Sequence, residues 1–290
     1  MTRRDALLAL PWIGAGLAQQ APPAEIPVDF TCPMDKDVKA KTPGLCPRCG
    51  MKLVAHLPEP IAYHLRLKTK PDPVEPGRPV ELEFQILHPK TGKPVTEFDV
   101  IHEKIFHLFL VSQNLSYFAH EHPVRGENGT FRFTTTLPKP GSYRVVADCF
   151  PTGATPQLLI KSLLTKGVTA ASLSETPHLT PDLKPQRGAN LSVELVTEPP
   201  EPIAGQETLL FFRLSTAEGL EQYLGAWAHM LAVSGDLIDI IHDHPLYTTL
   251  PQIQFNLLFP REAVYRIWVQ FQRAGVLNTV AFNVPVKALR

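Results

Sequence analysis

His107-Leu108-Phe109-Leu110-Val111-Ser112 and His229-Met230-Leu231-Ala232-Val233-Ser234 are one phrase written twice, 122 positions apart. The copies stay in register downstream. His120-Glu121-His122-Pro123 returns as His242-Asp243-His244-Pro245, and Pro138, Tyr143, Arg144 and Gly153 return as Pro260, Tyr265, Arg266 and Gly275. Upstream the offset is 128, because Thr69, Gly77 and Phe84 correspond to Thr197, Gly205 and Phe212. The first copy therefore carries six extra residues between its second strand and His107. Identical residues at so many fixed landmarks mark an internal duplication.

Each copy reads as all-β. Residues 80–87 alternate apolar and polar, and 106–112, 131–137 and 143–147 are short runs rich in β-branched and aromatic side chains. Asn128-Gly129 is a hairpin signal. The second copy predicts strands over 191–197, 208–214, 228–233, 237–241, 253–258, 264–271 and 279–286. Seven short strands in about 100 residues fit an immunoglobulin-like sandwich. Pro138-Lys139-Pro140-Gly141-Ser142-Tyr143 reads as a tyrosine corner, making Tyr143 and Tyr265 structural, although the second copy has Glu262-Ala263 in place of Pro140-Gly141. The fold class expected is mainly β: a small cysteine knuckle (27–58) followed by two tandem β-sandwich repeats (60–168 and 190–290), joined by a Thr/Ser/Pro-rich linker (169–189).

The composition excludes other classes. Twenty-eight basic residues balance 28 acidic ones, so no electrostatic footprint for nucleic acid exists. Thirty prolines and 17 glycines argue against long helices. Residues 1–20 read as an export signal: Arg3 and Arg4 precede an apolar run that ends in Gly16-Leu17-Ala18. That run is too short to cross a bilayer core of about 30 Å. Thr2-Arg3-Arg4-Asp5-Ala6-Leu7-Leu8 resembles a twin-arginine signal, with Ala6 where Phe is usual. The expectation is a periplasmic or secreted protein with no membrane span after cleavage.

Histidines recur where chemistry needs them. Residues two apart on a strand share a face, so His120 and His122 point one way, as do His242 and His244. A hairpin turning near 113–115 sets His107 opposite His120 or His122. Cross-strand partners have Cβ atoms about 5 Å apart, close enough to share an ion. Phe118 shares the His120 face, which places that face toward the sandwich interior. The expectation is a three-histidine cluster at one rim of each sandwich: His107, His120 and His122, then His229, His242 and His244. Neutral imidazole suits copper and zinc. The alternative is a structural cluster whose rings satisfy loop backbone groups. Cys149 has Phe271 as its repeat partner and reads as a buried apolar residue. His102 is an accessory candidate by proximity to His107.

Ahead of the repeats, Cys32-Pro33-Met34 is followed by Cys46-Pro47-Arg48-Cys49-Gly50-Met51. The two-residue spacing of Cys46 and Cys49 lets a tight turn aim both sulfurs at one ion, and Met34 and Met51 add thioethers. Such soft donors favour Cu(I) or zinc. A Cys46–Cys49 disulfide and a structural zinc knuckle are the alternatives. The segment resembles the small heavy-metal-binding domain found at the ends of copper and silver efflux ATPases and efflux adaptors. Asp35-Lys36 stands where that family usually has His-Pro. The repeats, through His-Leu-x-x-Val-Ser, His-x-His-Pro and Pro-Gly-x-Tyr-Arg, resemble the exported immunoglobulin-like domains that often accompany such segments.

Together these readings predict a soft-metal binding protein for capture, transfer or resistance, with copper (Cu(I) or Cu(II)) or zinc as its ion and a metal efflux system as candidate partner. Cys32, Cys46, Cys49, Met34 and Met51 would take the ion first, and each histidine triad would be a further site suited to Cu(II). The competing class is an adaptor with a structural zinc knuckle. No enzyme is expected: no nucleophile elbow, phosphate loop or repeated carboxylate pair is present.

Overall fold

The computed structural model describes residues 29–31, 38–45, 47, 53–56, 61–152, 154–174, 177–245 and 247–289. Two compact units make up the chain, 1–59 and 60–290. In the first, the strands Lys39–Ala40, Asp29–Thr31 and Val54–His56 form a small antiparallel sheet in that order. Leu53 is buried there against Phe30, Val38 and Ala40. The export signal and the ligand candidates Cys32, Met34, Cys46, Cys49 and Met51 lie outside the described residues.

The second unit holds both repeats, and each is a two-sheet antiparallel sandwich. In the first repeat one sheet runs His64–Lys70, Pro79–Leu87, Thr130–Thr136, Val124–Arg125. The other runs Gln157–Leu164, Ser142–Pro151, Phe106–Ser112, Phe118–Glu121. Period-two burial explains the packing. Val80, Leu82, Phe84 and Ile86 point inward from one sheet and meet Phe106, Leu108, Leu110, Val145 and Ala147 from the other. The second repeat copies this plan. Glu207–Leu214 and Gln252–Leu258 face His229–Ser234 and Ala263–Arg273 across a core that includes Leu210, Phe212, Phe255, Met230 and Ile267.

Several turns repeat as well. Tyr143 donates its hydroxyl to Lys139 O at 2.9 Å, and Tyr265 does the same to Arg261 O at 3.1 Å, so both tyrosines pin a crossover. The six surplus residues of the first copy fall in the turn bracketed by the Leu87↔Pro94 bridge. Beyond it the copies match again, with Ile101↔Lys104 and Tyr223↔Ala226 closing identical two-residue turns. Asn128 and Gly129 both take positive φ at the hairpin, and a Cβ on Gly129 would lie 2.1 Å from Val95 O. The strand expected over 237–241 starts only at Ile240, because Leu237 turns the chain at φ 58°.

One expectation is overturned. His120 and Phe118 do not face the sandwich interior. Phe109, Val111, Leu115 and Val146 of the first repeat form a separate buried cluster with Leu231, Val233, Leu237, Ile240 and Trp268 of the second, and Phe118 packs against it. Every residue of Phe106–Ser112 and of His229–Ser234 is buried, because one face of each strand fills its own sandwich and the other face meets the opposite repeat. The Phe118 and Trp268 rings stack across this contact, with centroids 5.0 Å apart and planes 11° from parallel. The histidine face is thus an interface between the repeats.

Candidate metal centre

Hairpin register assembles each triad. In the first repeat Leu108 pairs with Glu121 and Phe109 with His120, so the same register carried on sets His107 across from His122. In the second, Met230 pairs with Asp243 and Leu231 with His242, setting His229 across from His244. His107 Nδ1 lies 3.1 Å from His120 Nε2 and 3.2 Å from His122 Nε2. His229 Nδ1 lies 3.0 Å from His244 Nε2. Within each triad one nitrogen from every ring falls within 4.8 Å of the others. All six predicted histidines are therefore brought into two groups of three.

Four of the remaining ring nitrogens, on His107, His120, His229 and His242, are held by fixed acceptors. The Ile101 carbonyl can only accept, so His107 Nε2–H donates to it at 3.0 Å, and His229 Nε2–H donates to Tyr223 O at 2.8 Å. His120 Nδ1–H donates to Gln270 Oε1 at 2.8 Å, the amide being oriented by its own NH₂ group donating to Thr279 Oγ1. His242 Nδ1–H donates to the Asp148 carboxylate. These partners fix the tautomers, so His107 Nδ1, His120 Nε2, His229 Nδ1 and His242 Nε2 carry lone pairs pointed inward. His242 Nε2 is buried without a hydrogen-bond partner.

Burial governs the charge state. His107 and His229 are each 2% exposed. Desolvation lowers the pKa of His107 to about 4 and those of His122 and His229 to about 3, and it lowers His120, His244 and His102 as well. These six rings are neutral at pH 7, the protonation state in which imidazole ligates a metal.

Both triads sit in the same place. The His120 and His229 ring centroids are 5.4 Å apart and those of His107 and His242 are 5.5 Å apart, distances comparable with those inside a triad. Each triad depends on the other repeat, since His120 is oriented by Gln270 and His242 by Asp148. Sequence reasoning placed one cluster at a rim of each sandwich and missed this meeting. It also missed Asp148 and Gln270, which themselves correspond at the 122-residue offset. The available signal was the unbroken apolar character of residues 108–111 and 230–233. His102 lies in the centre too, stacked on His244 with centroids 3.7 Å apart.

The donor set fits a borderline or soft transition ion. Nitrogens bound to one tetrahedral ion at 2.0–2.1 Å are separated by about 3.3 Å, close to the spacing of the facing nitrogens here. A single cation can satisfy lone pairs that otherwise confront one another. Cys149 is buried in the first sandwich core, away from this set, as expected from its apolar repeat partner.

Two family models match the sequence. Residues 61–157 and 186–288 match the domain of unknown function DUF8832, and residues 30–56 match the heavy metal binding domain. No curated protein matches the chain. Solved structures give loose likenesses. The Escherichia coli adhesin FdeC is 13% identical with TM-score 0.26, over 81% of this chain and 71% of that one. The Yersinia pseudotuberculosis adhesin InvE is 10% identical with TM-score 0.23, over 76% of this chain and 58% of that one. The bacteriophage RB49 outer capsid protein Hoc is 9% identical with TM-score 0.21, over 78% and 59%. Likenesses at this level say nothing of function. Among the described residues no helix is long and apolar enough to cross a membrane.

Proposed function

The chain belongs to the family of the domain of unknown function DUF8832, and we propose that it is an exported protein that captures and hands over copper or a related soft ion. The observation that carries this reading is the gathering of three buried imidazoles in each repeat, with the lone pairs of His107 Nδ1 and His120 Nε2 facing one another at 3.1 Å. A purely structural histidine cluster pairs donors with acceptors, whereas here His242 Nε2 is left without a partner. The heavy metal binding domain at residues 30–56 supports the same chemistry from a second part of the chain.

In this reading the thiolates and thioethers of Cys32, Cys46, Cys49, Met34 and Met51 take Cu(I), and the histidine triads hold copper as either Cu(I) or Cu(II). The ion is cargo, and the role is binding and transfer outside the cytoplasm, without catalysis. A metal efflux system is the partner this role calls for.

Equilibrium dialysis of the freshly reduced full chain against Cu(I), Cu(II), Ag(I) and Zn(II) tests the reading. Copper uptake that falls when His107 and His229 are both replaced by Ala supports it. No uptake of any of these ions, or uptake unchanged by that double replacement, overturns the role of the triads.

A further inference from the structure

The two triads are related by repeat symmetry, yet their surroundings are not the same. The first triad is backed by Gln270, a neutral amide that accepts from His120 Nδ1–H at 2.8 Å. The second is backed at the equivalent point by Asp148, a carboxylate that accepts from His242 Nδ1–H. The same offset relates a second pair. His102 stacks on His244 of the second triad, with centroids 3.7 Å apart, whereas its counterpart in the other copy is the aliphatic Leu224. His102 and Leu224 sit at the same position of matching turns, with φ 47° and 52°.

From this asymmetry, and resting on the metal-binding reading above, we infer that the triads are unequal halves of one centre: an ion is taken first and held tightly at His229, His242 and His244, and a second is held more weakly and exchanges at His107, His120 and His122. The physical reasons are additive. A carboxylate behind a ligating imidazole raises the basicity of the ligand nitrogen and contributes negative charge, whereas an amide only orients the ring. Loss of such a partner commonly costs 10–100-fold in metal affinity. The triads are also close, with cross-triad ring centroids at 5.4–6.3 Å. Like-charged ions held side by side in a partly desolvated site repel, so the second is bound less well than the first. Asp148 is the carboxylate hydrogen-bonded to a ligand ring of the centre, and it stands on the second triad's side of that competition. A protein so built keeps one ion and passes on the other.

Titration of Cu(II) into the full chain carrying C32S, C46S and C49S, against a competing chelator, tests this. Two histidine-dependent steps at least tenfold apart are expected, the stronger lost in H229A and the weaker in H107A. D148N keeps the size of the side chain and its hydrogen bond while removing the charge. It should weaken the stronger step by 10–100-fold and leave the weaker one within threefold. Q270E supplies the missing charge to the other triad and should strengthen the weaker step by a similar factor. A second step too weak to measure in the parent, appearing in Q270E, also supports the inference. Two equal steps in the parent overturn it, as does a D148N effect spread evenly over both steps, or a Q270E variant that folds by circular dichroism and binds as the parent does. Absence of any histidine-dependent step refutes instead the underlying reading that the triads bind metal.

Discussion

His107 Nδ1 stands 3.1 Å from His120 Nε2, and neither nitrogen has a proton to give the other. The proton of His107 is spent on the Ile101 carbonyl and that of His120 on Gln270. Two facing lone pairs in a buried site cost stability until a cation or a proton enters between them. Binding an ion should therefore stabilise the fold markedly. At a free metal concentration 100 times the dissociation constant the gain is about 2.7 kcal/mol. In a unit of this size that raises Tm by roughly 5–10 °C. Differential scanning calorimetry with and without Cu(II) checks this, and H107A combined with H229A should abolish the shift.

The contact between the repeats is expected to control both triads together. Trp268 is 5% exposed and stacks on Phe118 of the other repeat. Trp268→Ala removes a buried aromatic ring and should cost about 3–5 kcal/mol in urea unfolding. Because Gln270 and Asp148 each reach across this contact, copper affinity should fall at both triads rather than at one. Competition titration of the variant reads that loss.

The tyrosine corner supplies the opposite outcome. Tyr143 donates to Lys139 O at 2.9 Å, in a crossover outside the histidine centre. Tyr143→Phe should cost about 1 kcal/mol of stability. Copper stoichiometry and affinity should be unchanged, as measured by the same titration.

Acid should unfold the metal-free protein earlier than its carboxylates require. Burial holds His107 near 4 and His122 and His229 near 3, against an unfolded value of about 6.5. The unfolded chain then binds more protons than the native one between these limits. Stability therefore rises with pH across that window, is fully present above about 6.5, and falls as pH drops toward 3. Thermal unfolding from pH 8 to pH 4 should show a steady decline in Tm, and replacing His122 with Gln should make the decline shallower.

Much of this was legible from the sequence, and the reasons are physical. The duplication, the sandwich strands and the tyrosine corners follow from local pattern: alternation over Pro79–Leu87, turn residues at Asn128-Gly129, and Tyr143 after Pro140-Gly141. The grouping of His107 with His120 and His122 follows from hairpin register alone. What escaped was the partner of the histidine face. Alternation assigns two faces to a strand but cannot say that both are buried, and Phe109 and Val111 meet Leu231 and Val233 of the other repeat. Asp148 and Gln270 escaped for the same reason. Each lies far in sequence from the ring it orients, His242 or His120, and only the contact between repeats brings them together.

X-ray absorption at the copper edge, on the full chain carrying C32S, C46S and C49S, addresses the metal centre most directly. The expected spectrum shows a shell of nitrogen neighbours with the outer-ring scattering of about three imidazoles per ion, lost in the H107A and H229A double variant. Copper surrounded by oxygen neighbours without imidazole scattering, or a spectrum unaltered by that double replacement, would contradict the assignment of these histidines as ligands.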